Sequence, residues 1–376
     1  MLQQETKKRV LGEPPQDPLA RDRDGLTDWR CSQTTHSQSI AVHIATSVST
    51  LDRENYVEPW TARFTAAFHA VRDAASRLTG GKKIKSTPFG ERNGKLAFNA
   101  SGVVQVGTHR FVFVDNHDPT SLFELVLDDD TEAERIQRRL LVGVVDGLLR
   151  DPEGLTRVDH DGEIFLIAAS SLCVAGTDPS DGLVRARHTP HGDLNTEAMQ
   201  GFRAWLLSHE PWLAASADKE PDADGLNIEG LAWDADAGAL LFGLRGPADP
   251  GEIAVIRVPV DAATAPWTTS SLGMPSTARI RIPKSTATQG VRDISYDKQT
   301  GDFLILLGRS TSKDDAPFQL CTWDGSSDKV KLLDVKFHRS MKPEGVTTFG
   351  SGDKKKVLIV DDSGGFAVFD YPEKAQ

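Results

Sequence analysis

Cysteine is scarce in this 376-residue chain. Cys31, Cys173 and Cys321 lie far apart and form no C-x-x-C pair. An odd, scattered set builds neither a disulfide framework nor a zinc site, so buried free thiols in a reducing, cytoplasmic setting are expected. Positive charge is also short: 43 Lys and Arg stand against 54 Asp and Glu, a net −11. That balance leaves no basic stripe for nucleic acid. No apolar run approaches the roughly 18 residues of a membrane helix, so no membrane partner is expected. The opening stretch, MLQQETKKRVLGEPPQDPLARDRDG, has no apolar core behind its charges and does not read as a secretory signal. There is no G-x-S-x-G elbow, which leaves an α/β-type serine hydrolase unsupported. Gly80-Gly81-Lys82 lacks the rest of a phosphate-binding loop and reads as a helix stop.

What is present is a repeat. The segment 227–247, NIEGLAWDADAGALLFGLRGP, holds a Glu-Gly step, a short strand, an Asp/Gly turn and a second, near-continuous apolar strand. Short apolar runs joined by such a turn predict a hairpin of buried strands. The unit recurs as SGVVQVGTHRFVFVDN (101–116), EGLTRVDHDGEIFLIAAS (153–170), RDISYDKQTGDFLILLGR (292–309) and EGVTTFGSGDKKKVLIVDD (344–362). Repeats at such a period that are all β predict radially stacked blades. The expected fold is therefore an all-β propeller with five clear blades, and the longer gaps leave room for a sixth.

Around the repeats, residues 1–56 are polar and irregular and are expected to be disordered or loosely attached. Trp60, Phe64, Phe68, Val71 and Leu78 fall at helical spacing, predicting an amphipathic helix over 57–81 that packs on the propeller. The propeller domain spans 82–376. Residues 128–139 read as a helical stretch and 171–192 as a turn-rich segment, in which His188 and His191 sit in a solvated loop. Residues 195–213 read as a helical insertion between strands of one blade.

Hairpin geometry makes a claim about chemistry. The start of each first strand lies beside the end of its second, and radial stacking brings these ends to one mouth of the channel. Glu153, Glu229, Asp293 and Glu344 should converge there, with Ser101 in the acid's place in the first repeat. Asp115, Asn116, Ser170, Arg245, Arg309, Asp361 and Asp362 should line the same face. Clustered acids need neutralising. A hard cation, Ca²⁺ or Mg²⁺, held by the four acids would do it, with Arg245, Arg309 and Asn116 binding an anionic substrate. Direct pairing with the arginines would also do it. The plainest alternative is that each acid only caps neighbouring amides as its strand opens.

Three of these segments, NIEGLAWDADAGALLFGLRGP, VRDISYDKQTGDFLILLGRS and KPEGVTTFGSGDKKKVLIVDD, resemble in sequence and order the DUF3616 family, bacterial β-propellers of unassigned function. The resemblance spans about 95–371. The Glu-Gly openings are more remotely similar to gluconolactonase-type and phytase-like propellers, which implies acids holding a divalent cation at the channel mouth. The function expected on these grounds is a metal-assisted hydrolase of a small anionic ester, phosphoester or lactone. The rival is a non-catalytic module binding a protein or small ligand, its acids and arginines forming a structural ion-pair ring.

Overall fold

The computed structural model describes residues 83–372, apart from 90, 93–94, 97, 129–133, 145–146, 177 and 351. The N-terminal segment and the expected 57–81 helix therefore lie outside the described residues, as does Cys31. Cys173 and Cys321 are buried free thiols.

A short strand β1 (Thr87–Pro88) precedes the first blade, which is β2 (Ala100–Gly107), β3 (Arg110–Asp115), β4 (Ser121–Leu127) and β5 (Glu134–Val142). The second is β6 (Pro152–His160), β7 (Glu163–Ser170), β8 (Leu183–Arg187) and β9 (Leu194–Met199). The third is β10 (Asn227–Asp234), β11 (Ala239–Gly246), β12 (Glu252–Pro259) and β13 (Ser276–Arg281). The fourth is β14 (Gln289–Tyr296), β15 (Phe303–Arg309), β16 (Gln319–Trp323) and β17 (Lys331–Leu332). The last is β18 (Pro343–Phe349), β19 (Lys356–Asp361) and β20 (Gly365–Asp370), completed by β1, which pairs Thr87 with Phe366 and Pro88 with Gly365. Each blade is an antiparallel four-stranded sheet. Blades 1 and 2 also join at their outer edges, where β9 runs parallel to β5. The described residues form a five-bladed β-propeller.

The inner strands β2, β6, β10, β14 and β18 form a closed ring, each packed on the next. The second strands are near-continuous apolar runs because both of their faces are covered by neighbouring blades. Val114 and Leu122 of blade 1 meet Leu155 and Leu166 of blade 2. Ile167 and Leu183 of blade 2 meet Leu231 and Phe242 of blade 3. The seam between blades 5 and 1 is aromatic: Phe89 stacks on Phe113 and on Phe366, each 5.4 Å between centroids.

Three sequence expectations are corrected. The stretch 128–139 is not helical; its described part lies in β5, an outer strand whose polar residues suit a sheet edge. The segment 171–192 contains β8. The helix expected over 195–213 is α1 (Phe202–His209) followed by a 3₁₀ turn, and 195–199 belong to β9. Alternation of exposed and covered residues in LNTEAM is a strand period. α1 also lies between blades rather than within one, with Phe202 packed 5.0 Å from Phe242.

Candidate functional site at the channel mouth

In every inner hairpin the register slips by one residue near the start of the inner strand. A bulge of this kind re-aims one side chain. The slipped residues are Glu153, Glu229, Arg292 and Glu344, and in blade 1 the slip falls one place later in the repeat, at Gly102. Three of the expected acids thus occupy equivalent places. The fourth place, in blade 4, is taken by Arg292 and not by Asp293.

Arg292 Nη1 donates to Glu229 Oε2 at 2.8 Å and to Glu344 Oε2 at 2.9 Å. Arg245 Nη1 donates to the other oxygen of Glu229 at 2.8 Å, and Arg245 Nε to the Ser310 carbonyl at 3.0 Å. Asn227 Nδ2 lies 3.3 Å from Glu229 Oε1. Glu153 accepts from Ser101 Oγ at 2.5 Å and from Asn116 Nδ2 at 2.7 Å. All three glutamates are buried, between 1% and 8% exposed.

These surroundings split their protonation. Burial pushes Glu344 up to about 8; Arg292 opposes the shift and the charge of Glu229 reinforces it. Burial, then the charges of Glu229, Asp151 and Glu344, raise Glu153 well above the carboxylate range. Burial acts upward on Glu229 too, yet Arg292 and Arg245 together hold it below its ordinary value. The mouth therefore holds one carboxylate kept ionised between two guanidinium groups, with two carboxyls alongside that are pushed toward the neutral acid.

Asp293 does something different. It stands where the other blades have Gly102, Gly154, Gly230 and Gly345, immediately before the first apolar residue of the strand. At those glycines the ring leaves no room: a Cβ on Gly154 would come within 2.7 Å of the Leu231 Cβ, and one on Gly230 within 2.8 Å of Val291. Asp293 uses its place to bind backbone. Its carboxylate accepts the amides of Ile294 at 2.8 Å and Val346 at 2.7 Å. The amides of Val103 and Leu231 also bond to it, so inner strands of four blades meet on one side chain. Burial raises its pKa well above the usual range, against the pull of those amides. Asp293 is thus a plug of the channel.

The remaining expected residues divide. Asn116 and Ser170 are at the mouth. Asp115 Oδ1 caps the amides of Asn99 and His117, and burial raises its pKa. Asp361 caps Lys342 and Ser363 in the same way. Asp362 pairs with Lys342 at 3.4 Å and adds to the upward push on Glu344. Arg309 is exposed and lines a separate groove with Phe318, Asp334 and Arg339. His188 is not in a solvated loop: its side chain is 10% exposed, with Nε2 3.8 Å from Glu124. The acid-for-acid alignment hid Arg292. Aligning the repeats on the residue before the first apolar position would have found it.

Several buried polar atoms around this mouth have no hydrogen-bond partner: Asn116 Oδ1, Ser170 Oγ, Asn227 Oδ1, Arg292 Nε and Asp361 Oδ2. Buried polar atoms are normally satisfied, so such a cluster marks a place for water or ligand. The residues do not fit Ca²⁺ or Mg²⁺. The point between Glu229 and Glu344 is filled by a guanidinium, and Asp293 is turned onto backbone amides. Among the described residues no group of three or more His, Cys, Asp or Glu is arranged to hold a metal, and no helix is long and apolar enough to cross a membrane.

No protein-family model matches the chain, and no curated protein matches it. Among solved structures the chain is similar to a GH43 β-1,3-galactosidase with galactodeoxynojirimycin (10% identity, 77% of this chain and 94% of that one, TM-score 0.42). It is also similar to Saccharomyces cerevisiae Sqt1 (12%, 73% and 72%, TM-score 0.31). A third is a mutant of Trypanosoma rangeli sialidase displaying trans-sialidase activity (10%, 76% and 57%, TM-score 0.32). The propeller rests on this chain's own strand pairing, and these likenesses carry nothing about its chemistry.

Proposed function

We propose that the channel mouth is a metal-independent hydrolytic site for a small anionic ester, phosphoester or lactone. The observation that carries this reading is the split of Glu229 and Glu344 by one shared arginine. Neighbouring carboxyls pushed to opposite protonation states are the usual basis of acid–base pairs. Glu344, pushed up to about 8 and 10% exposed in its side chain, is the general acid for a leaving oxygen. Arg245, 19% exposed in its side chain, and Arg292 orient the anionic group. Asn116 and Asn227 offer carbonyl oxygens to substrate hydroxyls or to the attacking water. Glu229 fixes both arginines.

The test is a hydrolysis screen over lactones, phosphoesters and carboxyl esters, with and without chelator. Turnover unchanged by chelator is expected, and Glu344→Gln should lower kcat by about 10²–10⁴-fold. Loss of turnover on chelation, or full activity in the variant, overturns the reading. A second reading is favoured by the 1% exposure of Glu229: the acids and arginines are a structural ring, and the propeller binds a partner elsewhere. No turnover in any class, with stability lost in Arg245→Ala, supports that reading instead.

A further inference from the structure

Beyond Asp293, toward the far end of the inner strands, lies a second cavity of about 180 Å³. Each of the five inner strands contributes at least one polar or amphipathic side chain to it, among them Gln105, Thr156, Trp233, Ser295 and Thr347, from β2, β6, β10, β14 and β18. Tyr296 adds a second aromatic ring. At roughly 30 Å³ per water the space equals about six water molecules, which suits one small ring and no more.

The charged side chains around this cavity are already engaged with one another. Asp159 accepts from Arg157 Nη2 at 2.5 Å and pairs with Lys298. Asp297 pairs with Lys355. Each charged side chain that lines the cavity thus already has an ion-pair partner, Arg157 and Lys298 sharing Asp159. The uncharged groups are less engaged: the Ser295 and Thr347 hydroxyls stand 3.4 Å apart, a weak contact. Hydroxyls and an amide that both donate and accept, set beside aromatic faces, suit a neutral molecule with alternating hydroxyl and C–H surface. The Lys298–Asp159 pair also crosses from blade 4 to blade 2, over the intervening blade, and so bars part of the opening.

We infer that this far-end cavity is a binding site for a neutral, monosaccharide-sized polyol, separate from the mouth. It does not rest on the hydrolytic reading, since the Asp293 plug divides the two ends. The test is calorimetry and saturation-transfer NMR on the full chain with glucose, galactose, xylose and myo-inositol. Saturable binding of at least one is expected. The double variant Ser295→Ala/Thr347→Val, which keeps side-chain shape, should weaken it about tenfold, the value of losing one to two hydrogen bonds. Glu344→Gln at the mouth should leave it unchanged. The inference is overturned if none of the four binds, if the double variant binds like the parent, or if the mouth variant alone abolishes binding.

Discussion

Glu344 ties the stability of the protein to pH in a direction opposite to an ordinary salt-bridged acid. Its pKa is near 4.5 when unfolded and about 8 when folded. Between those values the folded protein keeps a proton that the unfolded chain has released. Unfolding then releases a proton, so stability is full below the unfolded value and declines as pH rises through the folded one. One such group contributes a slope of up to roughly 1.4 kcal/mol per pH unit. Glu153, also raised, adds a slope of the same sign. Glu229, lowered by its two arginines, acts the other way: its contribution is present above its unfolded value and fades on acidification. Urea midpoints taken at about pH 5.5 and 8.5 should fall with rising pH in the parent and fall less in Glu344→Gln, because one of the two descending slopes is gone. Parallel declines would remove Glu344 from this role. Arg292 makes the arrangement tolerable, because a buried charge left without its partner is strongly destabilising.

At the scale of one blade, much was legible in the sequence and one step was not. The hairpins at 101–116, 153–170, 227–247, 292–309 and 344–362 could be read from apolar runs and Asp/Gly turns, because a blade's inner pair is buried on both faces. Outer strands were harder. Glu134–Val142 and Leu194–Met199 are polar edge strands whose charges imitate a helix or loop. The site was legible as a convergence of strand ends, and Glu153, Glu229 and Glu344 do meet. It was misread at Arg292-Asp293, since residue type suggested aligning acid with acid. The packing constraint runs through the following position, where the ring admits glycine or a side chain that can plug the axis. That constraint gives a test. Gly230→Ala places a Cβ 2.8 Å from Val291 and 2.9 Å from Ile294, and overpacking of this kind costs about 1–3 kcal/mol. Urea unfolding of this variant should show that loss. An unchanged midpoint would mean that the inner ring is looser than its contacts imply.

For the whole molecule, the decisive question is how a ring made of local hairpins closes. Four blades are built from consecutive strands, so their contacts are short-range in sequence. The fifth takes its outer strand from residues 87–88, only two ladder pairs long. So short a ladder adds little by itself, and closure falls to the side chains that follow it. Phe89 is 7% exposed and packs at once on Phe98, Phe113 and Phe366, which belong to the first and last blades and the chain between them. Truncating a buried phenylalanine costs about 3–5 kcal/mol. In Phe89→Ala that loss should appear as an opening of the seam before global unfolding. Hydrogen exchange would then rise first in β2, β18 and β20, with β10 and β11 still protected. Uniform acceleration across all five blades would show instead that the ring opens only as a unit. In that case the Asp293 carboxylate, which gathers amides from β2, β10, β14 and β18, would be the stronger tie between the ends of the chain.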